Sequence, residues 1–335
     1  MKLPAILAVT LACAAAGQGY RVLGRTVLGG EGGWDYLTAD TAGNRLFISR
    51  GTHVVAVDLA TMHVAGDLPG TPGVHGVALA PELGRGFTSN GRDSSVTVFD
   101  LRTLATISTV KVTGRNPDSI VYDAATGRVF TMNGGSASIT AVDARTGAVA
   151  GTVTLGGRPE EAVVDGRGHL YVNLEDRGQV EAVDARTLRS LGHWELTGCE
   201  GPTGIAMDRV HRRIFSVCDG KVMKVSDPDH GRVVATVPIG EGPDGAAFDP
   251  GTQTVFSSNG EGSVTVIHED APDRYHVEQT VETQRGARTI ALDPRTHRVY
   301  TVTSEFGLPP APTADRPHPR PSQVPGTFTL LTIGR

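Results

Sequence analysis

Apolar and polar side chains alternate in short segments that recur along the chain. The segment Ile139-Thr-Ala-Val-Asp-Ala-Arg-Thr-Gly147 alternates apolar and polar residues and then enters a polar turn. A period of two places the apolar side chains on one face of a strand. Comparable segments begin at Val54, Val96, Val180, Val222 and Val264. Each segment predicts a β-strand, most often closed by a turn of the form Asp-x-x-Thr.

The spacing of these segments indicates the architecture. Their strand-ending positions lie 41 to 43 residues apart, at Asp58, Asp100, Asp143, Asp184, Ser226 and His268. A repeat of about forty residues in an all-β pattern is typical of a β-propeller with one four-stranded blade per repeat. Blade entrances such as Pro117-Asp118-Ser119 occur seven times, which predicts seven blades.

The aromatic residues follow the same repeat. Although Phe, Trp and Tyr make up only 5% of the chain, one aromatic residue recurs every 40 to 44 residues, at Phe47, Phe87, Phe130, Tyr171, Phe215, Phe256 and Tyr300. We interpret this position as a packing layer between adjacent blades. These aromatic side chains therefore belong to the core rather than to a surface on which bases stack.

The two ends of the chain resemble parts of one blade. Residues 20–30 look like the last strand of a blade, and residues 328–333 match the repeated strand. We therefore predict one domain over residues 17–335, in which the N-terminal strand completes the C-terminal blade and closes the ring. Such closure removes exposed sheet edges.

One segment interrupts the repeat in the last blade. Residues 305–325 contain seven prolines in 21 positions, a composition that favours an extended loop without its own core. A disordered surface insertion and a lid over a site are both compatible with it.

The first sixteen residues have the pattern of a secretory signal peptide. Lys2 supplies the positive end, Pro4 to Leu11 form the apolar run, and Ala14-Ala15-Ala16 are the small-residue cleavage site. The run is too short to span a bilayer. No other long apolar segment follows, so we predict a soluble periplasmic or secreted protein without a membrane span. Lipidation at Cys13 is the alternative, although Thr10 stands where a lipobox usually has Leu. The net charge of −5 gives no general attraction to nucleic acid.

Three repeated motifs resemble a known family. They are the Pro-Asp or Pro-Glu entrances, the aromatic strand followed by Asn-Gly (FTSNG at 87, FTMNG at 130, FSSNG at 256) and the V-x-V-x-D-x-x-T segment. In these the chain resembles the YVTN-repeat β-propellers, the YncE-like exported proteins, over about residues 20–335. The resemblance implies the propeller fold and export, and it implies little about chemistry. Cys218 and His268 depart from the repeat.

The entrances of the blades and the loops after their second strands should meet at one mouth of the axial channel. We therefore predict a ligand-binding ring at Asp35, His75, Asp118, Glu160, Asp244 and Arg288, with Asn90, Asn133 and Asn259 nearby. A carboxylate at an entrance can also cap backbone N–H groups, and an Asn in a turn can serve the backbone alone. His75 is the more informative residue, because it replaces the usual acidic group of the repeat.

The same ring has hard oxygen ligands for a divalent cation. Glu160, Asp118 and Asp244 suit Ca²⁺ or Mg²⁺, and adding His75 would allow Zn²⁺ or Mn²⁺. No short-range metal motif supports such a site.

Cys199 and Cys218 are the two cysteines that remain after signal cleavage. In an oxidising compartment we expect them to form a disulfide; free thiols and soft-metal ligands are the alternatives.

The sequence contains no catalytic motif such as G-x-S-x-G. The leading hypothesis is therefore a monomeric binding platform for a small molecule or protein at the channel mouth. A metal-assisted hydrolase of lactonase type, with Glu160 and Asp244 holding the ion, is the enzymatic alternative. Binding of single-stranded nucleic acid is a third hypothesis, which the acidic ring disfavours.

Overall fold

The structure is a computed structural model that describes residues 19–313, 319 and 321–335. The predicted signal peptide, including Cys13, lies outside the described residues, as do residues 314–318 and 320 of the proline-rich segment. Among the described residues, no helix is long and apolar enough to cross a membrane.

The described chain consists of β-strands and one short 3-10 helix, Pro81–Leu83. In chain order the strands are β1 (Arg21–Val27), β2 (Leu37–Asp40), β3 (Arg45–Ser49), β4 (Gly51–Asp58), β5 (Val64–Ala80), β6 (Arg85–Asn90), β7 (Ser95–Asp100), β8 (Thr106–Lys111), β9 (Pro117–Asp123), β10 (Arg128–Asn133), β11 (Ser138–Asp143), β12 (Val149–Thr154), β13 (Pro159–Val164), β14 (His169–Leu174), β15 (Gln179–Asp184), β16 (Arg189–Glu195), β17 (Pro202–Asp208), β18 (Arg213–Cys218), β19 (Val222–Asp227), β20 (Arg232–Pro238), β21 (Pro243–Asp249), β22 (Thr254–Asn259), β23 (Ser263–Ala271), β24 (Arg274–Glu282), β25 (Ala291–Asp293), β26 (Arg298–Thr303) and β27 (Thr329–Gly334). The prediction of an all-β chain is confirmed.

The strands form antiparallel sheets of four consecutive members. Strands β9 to β12, β13 to β16, β17 to β20 and β21 to β24 each make one such sheet. Strands β2 to β8 form a seven-stranded sheet that contains two units sharing β5. The N-terminal half of β5 pairs with β4, and the C-terminal half of β5 pairs with β6. Each sheet is open, and neighbouring units meet through their side chains.

The remaining sheet joins the two ends of the chain. Its strand order is β1-β27-β26-β25, and Val22 of β1 pairs with Ile333 of β27. The N-terminal strand therefore supplies the outer strand of the C-terminal unit, as the sequence predicted.

The first strands of successive units contact one another in chain order, and β25 contacts β2. The recurring aromatic residues lie between units: all seven are buried, and Phe47 packs against Phe99 of the next unit with ring centroids 5.8 Å apart. The aromatic packing layer follows from the alternation of strand faces, since every second residue of β3 or β6 faces a neighbouring sheet.

The polar end of each repeated strand forms a turn through its aspartate. Asp143 Oδ1 accepts hydrogen bonds from the backbone N–H of Thr146 at 2.7 Å and from its hydroxyl at 2.8 Å. Asp58 and Asp100 bind Thr61 and Thr103 in the same way. The recurrent Asp-x-x-Thr is thus a self-capping turn between the third and fourth strands.

Candidate functional site

The entrance residues leave the strand ladder because several first strands begin irregularly. Strand β13 starts at Pro159, where a missing N–H costs nothing, and its register with β14 shifts between Pro159 and Ala162. The shift leaves Glu160 and Glu161 outside the ladder, and a bulge of this kind redirects side chains. Comparable shifts follow Pro117, Pro202 and Pro243.

Serine side chains at the ends of the second strands hold the next entrance in place. Ser89 on β6 accepts from the N–H of Gly76 at 3.0 Å and donates to the carbonyl of Asp118. Ser258 on β22 donates to the carbonyl of Arg288 in the same manner. The second and sixth units therefore each position the ring residue of the following unit.

Three of the predicted ring residues form a compact group. His75 Nδ1 lies 2.6 Å from Asp35 Oδ2 and 3.5 Å from Asp118 Oδ1. Burial opposes protonation of His75, but the Asp35 hydrogen bond and the charges of both aspartates raise its pKa above the usual value. Burial raises the pKa of Asp118, although the charge of His75 opposes this shift.

Glu160 lies on the next unit of the ring and has weak compensation for its charge. Its Oε2 atom is buried without a hydrogen-bond partner and lies 3.8 Å from a guanidinium nitrogen of Arg158. That guanidinium is closer to Glu175, at 2.9 Å. Burial, reinforced by the charges of Asp118 and Glu175, raises the pKa of Glu160 to about 9.

Two channel residues were not selected from the sequence. Glu161 accepts a hydrogen bond from the N–H of Ile205 at 3.0 Å, and burial raises its pKa to about 8. Tyr36 lies near the same carboxylates, and burial together with Asp118 and Glu160 raises its pKa well above the usual value. The entrance Pro159-Glu160-Glu161 contains Glu161, but strict strand alternation predicts that its two glutamate side chains lie on opposite faces of the sheet. The register shift after Pro159 removes this alternation, so both glutamates join the carboxylate group.

Asp244 and Arg288 form the remaining part of the ring. Arg288 Nε lies 3.4 Å from Asp244 Oδ2, and burial raises the pKa of Asp244 to about 6 although Arg288 opposes the shift. The Arg288 side chain is 43% exposed, so a ligand at the mouth can reach it.

The three asparagines have a different role from the one expected. Asn90, Asn133 and Asn259 are completely buried. Asn90 Nδ2 donates to Ser95 and Thr97, and its Oδ1 accepts from Thr88, all within one unit. Asn133 and Asn259 repeat this pattern. Since each amide is saturated by its own sheet, these residues shape the turn and do not face the mouth.

Cys199 and Cys218 are joined by a disulfide. The bond connects the segment before β17 to the end of β18, at the entrance of the fifth unit.

The proline-rich segment lies beside the mouth. Its two ends pair, with Val324 N donating to the carbonyl of Glu305 at 2.8 Å, and the Phe306 ring lies 6.2 Å from the Trp34 ring. A cleft of about 850 Å³ opens between this segment and Arg285 and Arg288.

A second cavity of about 360 Å³ extends along the first strands β2, β5 and β9 and is lined by Tyr36 and Glu161.

Three residues of the predicted ring place potential metal-ligand atoms close together, and the prediction that Glu160 and Asp244 hold an ion stays a prediction. Among the described residues, Asp35, His75 and Asp118 bring ligand atoms within 4.8 Å of one another. His75 and Asp118 belong to the predicted metal set, whereas Asp35 was predicted only as a ligand-binding residue of the ring. The chemistry of one imidazole and two carboxylates suits a divalent transition ion better than Ca²⁺.

Comparison with solved structures supports the fold. The chain is similar to hydrazine synthase from Kuenenia stuttgartiensis (TM-score 0.71, 18% identity, 80% of this chain and 92% of that chain). It is also similar to U3-55K (TM-score 0.78, 10% identity, 93% and 99%) and to the RRP9 WD40 repeats (TM-score 0.78, 10% identity, 92% and 97%). At these identities the likeness establishes a β-propeller fold and no activity. No protein-family model and no curated protein matches the sequence, so the YVTN-repeat assignment stays a prediction.

Proposed function

We propose that the chain is an exported, seven-bladed propeller closed by its N-terminal strand, and that its channel mouth binds a cationic group of a small molecule or partner protein. Support for the ring comes from the pairing of β1 with β27 and from the contact of β25 with β2. Support for export comes from the N-terminal sequence pattern and the disulfide.

The observation that carries the binding proposal is the convergence of carboxyl groups with too few cations. Burial raises the pKa values of Asp118, Glu160, Glu161 and Asp244, and the charges of neighbouring carboxylates reinforce each shift. Glu160 and Glu161, with pKa values of about 9 and about 8, hold protons at neutral pH. An incoming ammonium or guanidinium group would replace these protons and stabilise the ionised carboxylates.

The cleft beside the proline-rich segment gives the rest of such a ligand a place to bind. Phe306 and Trp34 form an apolar wall next to Arg288, and Leu308 is 92% exposed. A ligand with a cationic end and an apolar body would place the first in the ring and the second against this wall.

The test is calorimetric titration of the full chain with spermidine and with arginine ethyl ester at pH 7. Two buffers of different ionisation enthalpy would report the protons released. We expect binding with proton release, and a roughly tenfold or greater loss of affinity in Glu160→Gln, because the neutral amide cannot become charged. Glu282→Gln, at an exposed position on β24, is the control. Binding without proton release, or equal affinity in Glu160→Gln, would contradict the proposal.

The Asp35, His75 and Asp118 group favours a second candidate, a metal-assisted hydrolase. A divalent ion there would lower the pKa of a bound water, and a ring carboxylate that is ionised at neutral pH, such as Asp244, would accept its proton. Elemental analysis of purified protein, together with assays on lactones and esters, tests this candidate. A metal and an activity that both disappear in His75→Ala would support it, and metal-free protein without turnover would exclude it.

A further inference from the structure

A second cluster of metal-ligating side chains lies between the fifth and sixth units, outside the channel ring. His211 Nδ1 is 2.7 Å from Asp208 Oδ2 and 3.4 Å from Glu269 Oε1. The ligand atoms of these three residues lie within 4.8 Å of one another. Asp208 and Glu269 are 1% and 3% exposed, whereas the edge of His211 reaches the solvent.

The polar atoms of this cluster are only partly satisfied: Glu269 Oε1 accepts a hydrogen bond from the Tyr275 hydroxyl at 3.3 Å, whereas the short contact of His211 with Asp208 lacks hydrogen-bond geometry. Asp208 Oδ2, Glu269 Oε2 and His211 Nδ1 are all buried without a hydrogen-bond partner. Asp208 uses its other oxygen for the turn, where it accepts from the N–H of Val210 at 2.8 Å. A buried carboxylate oxygen without a donor is unfavourable unless a further group satisfies it.

Comparison with the other repeats shows that position 211 is exceptional. In three other units the residue three positions after the equivalent aspartate is a threonine that donates to the second carboxylate oxygen. These pairs are Thr126 with Asp123, Thr252 with Asp249 and Thr296 with Asp293, at 2.8 to 2.9 Å. His211 occupies this position in the fifth unit, and its Nδ1 lies 2.7 Å from Asp208 Oδ2 without forming the hydrogen bond that the threonines make.

Position 269 departs from the repeat as well. The backbone N–H of Glu269 donates to the carbonyl of Gln253, which is the bond that Leu59, Leu101, Ala144 and Ala185 make in their own units. Those four residues are apolar and buried against the preceding unit. Glu269 therefore places a carboxylate in an apolar packing position, directly opposite the histidine that replaces threonine.

We propose that Asp208, His211 and Glu269 bind one divalent transition-metal ion, with Zn²⁺ as the representative ion, across the interface of the fifth and sixth units. The two carboxylates balance the charge of the ion, and water at the exposed edge of His211 completes its coordination. The ion would satisfy the three atoms that lack partners and link two neighbouring sheets. This site is independent of the channel mouth and of the function proposed there.

Protons compete with the metal at this site. Burial and the charge of Asp208 raise the pKa of Glu269, and a metal ligand must be deprotonated to bind its ion. Metal binding should therefore weaken as the pH falls and release protons.

The test uses full-length protein stripped of metal, in a His75→Asn background that removes the channel group. We expect this protein to bind one equivalent of Zn²⁺ by calorimetry and one Co²⁺ with visible d–d absorption. Two added variants restore the residues of the repeat and should fold well: His211→Thr and Glu269→Leu. Each should lower Zn²⁺ affinity by roughly tenfold or more and abolish the Co²⁺ spectrum.

The control is His193→Thr, at an exposed histidine on β16. It should leave both signals unchanged. Thermal melts without metal should show His211→Thr to be at least as stable as the parent, since the threonine hydroxyl restores a donor to Asp208. Absence of stoichiometric metal in the parent, or unchanged Zn²⁺ affinity in His211→Thr and Glu269→Leu, would overturn the proposal.

Discussion

Carboxyl side chains occupy two opposite environments in this protein. The turn aspartates, such as Asp143, accept hydrogen bonds from Thr146, which lower the pKa of the carboxyl group. Glu160 and Glu161, in contrast, are buried, receive few hydrogen-bond donors and lie near other carboxylates. Burial, reinforced by the charges of these carboxylates, raises the pKa of Glu161 to about 8. Burial together with the number of nearby hydrogen-bond donors thus decides whether a carboxyl group is charged at neutral pH.

This difference predicts the pH dependence of stability. The folded-state pKa of Glu161 lies above its ordinary value of 4.5. Between these two values the folded chain retains a proton that the unfolded chain has lost, so stability falls as pH rises from about 4.5 to about 8. The slope from this one group is at most about 1.4 kcal/mol per pH unit. Urea unfolding of wild type and Glu161→Gln between pH 5 and pH 9 measures it.

In Glu161→Gln the uncharged amide can still accept from Ile205, and the decline in stability with rising pH should be smaller than in wild type. Glu282→Gln should leave the wild-type profile unchanged. Parallel profiles for Glu161→Gln and wild type would show that Glu161 ionises normally in the folded chain.

At the scale of strands and loops, irregular features decide where functional side chains lie. The register shifts at the starts of β9, β13, β17 and β21 direct entrance residues into the channel. The disulfide constrains one of these entrances, since Cys199 precedes β17 and Cys218 ends β18. The entrance of the fifth unit therefore has a covalent restraint in addition to its ladder.

We expect removal of this disulfide to destabilise the chain. The bond closes a loop with a sequence separation of 19 residues, and a crosslink of that length contributes about 3 kcal/mol by restricting the unfolded state. The double variant Cys199→Ser, Cys218→Ala should lower the free energy of unfolding by about that amount. Denaturant titration with and without reductant is the measurement. Reductant should destabilise wild type and leave the double variant unchanged; equal curves for all four samples would contradict the expectation.

At the scale of the whole molecule, the two ends of the chain depend on each other. Strand β1 covers the edge of β27, and Arg335 reaches from the C-terminus to lie over the Tyr20 ring. Tyr20 in turn packs on Phe256 of the sixth unit, with ring centroids 5.2 Å apart. The first described residues therefore connect the last unit to its neighbour.

Removal of β1 should destabilise the chain and promote association between copies. A chain beginning at residue 28 would expose the hydrogen-bonding edge of β27, which invites pairing with another copy. Size-exclusion chromatography with light scattering should show oligomers or aggregates, and the melting temperature should fall. A chain beginning at residue 19 is the control, expected to elute as one species. A monomeric, equally stable product of the truncation would show that β1 is dispensable.

The sequence was informative about features that repeat and weak on features that occur once. The period of about forty residues predicted the strands and the aromatic layer, because each repeat meets the same packing requirement. The same regularity was misleading for Asn90, Asn133 and Asn259, whose amides satisfy their own sheets. It also overlooked Glu161, because the alternation of an ideal strand does not anticipate a bulge.

By itself the sequence determined the all-β class, the repeated four-stranded unit and the pairing of the two chain ends, since these depend on local periodicity. The number of blades and the residues at a channel mouth stay predictions. Tertiary structure alone decided which residues of different units meet: Asp35 with His75 and Asp118, and Glu269 with the Asp208–His211 pair. These groups come from different units, separated by tens of residues. Their distances and burial depend on how neighbouring sheets pack, which no pattern within one repeat specifies.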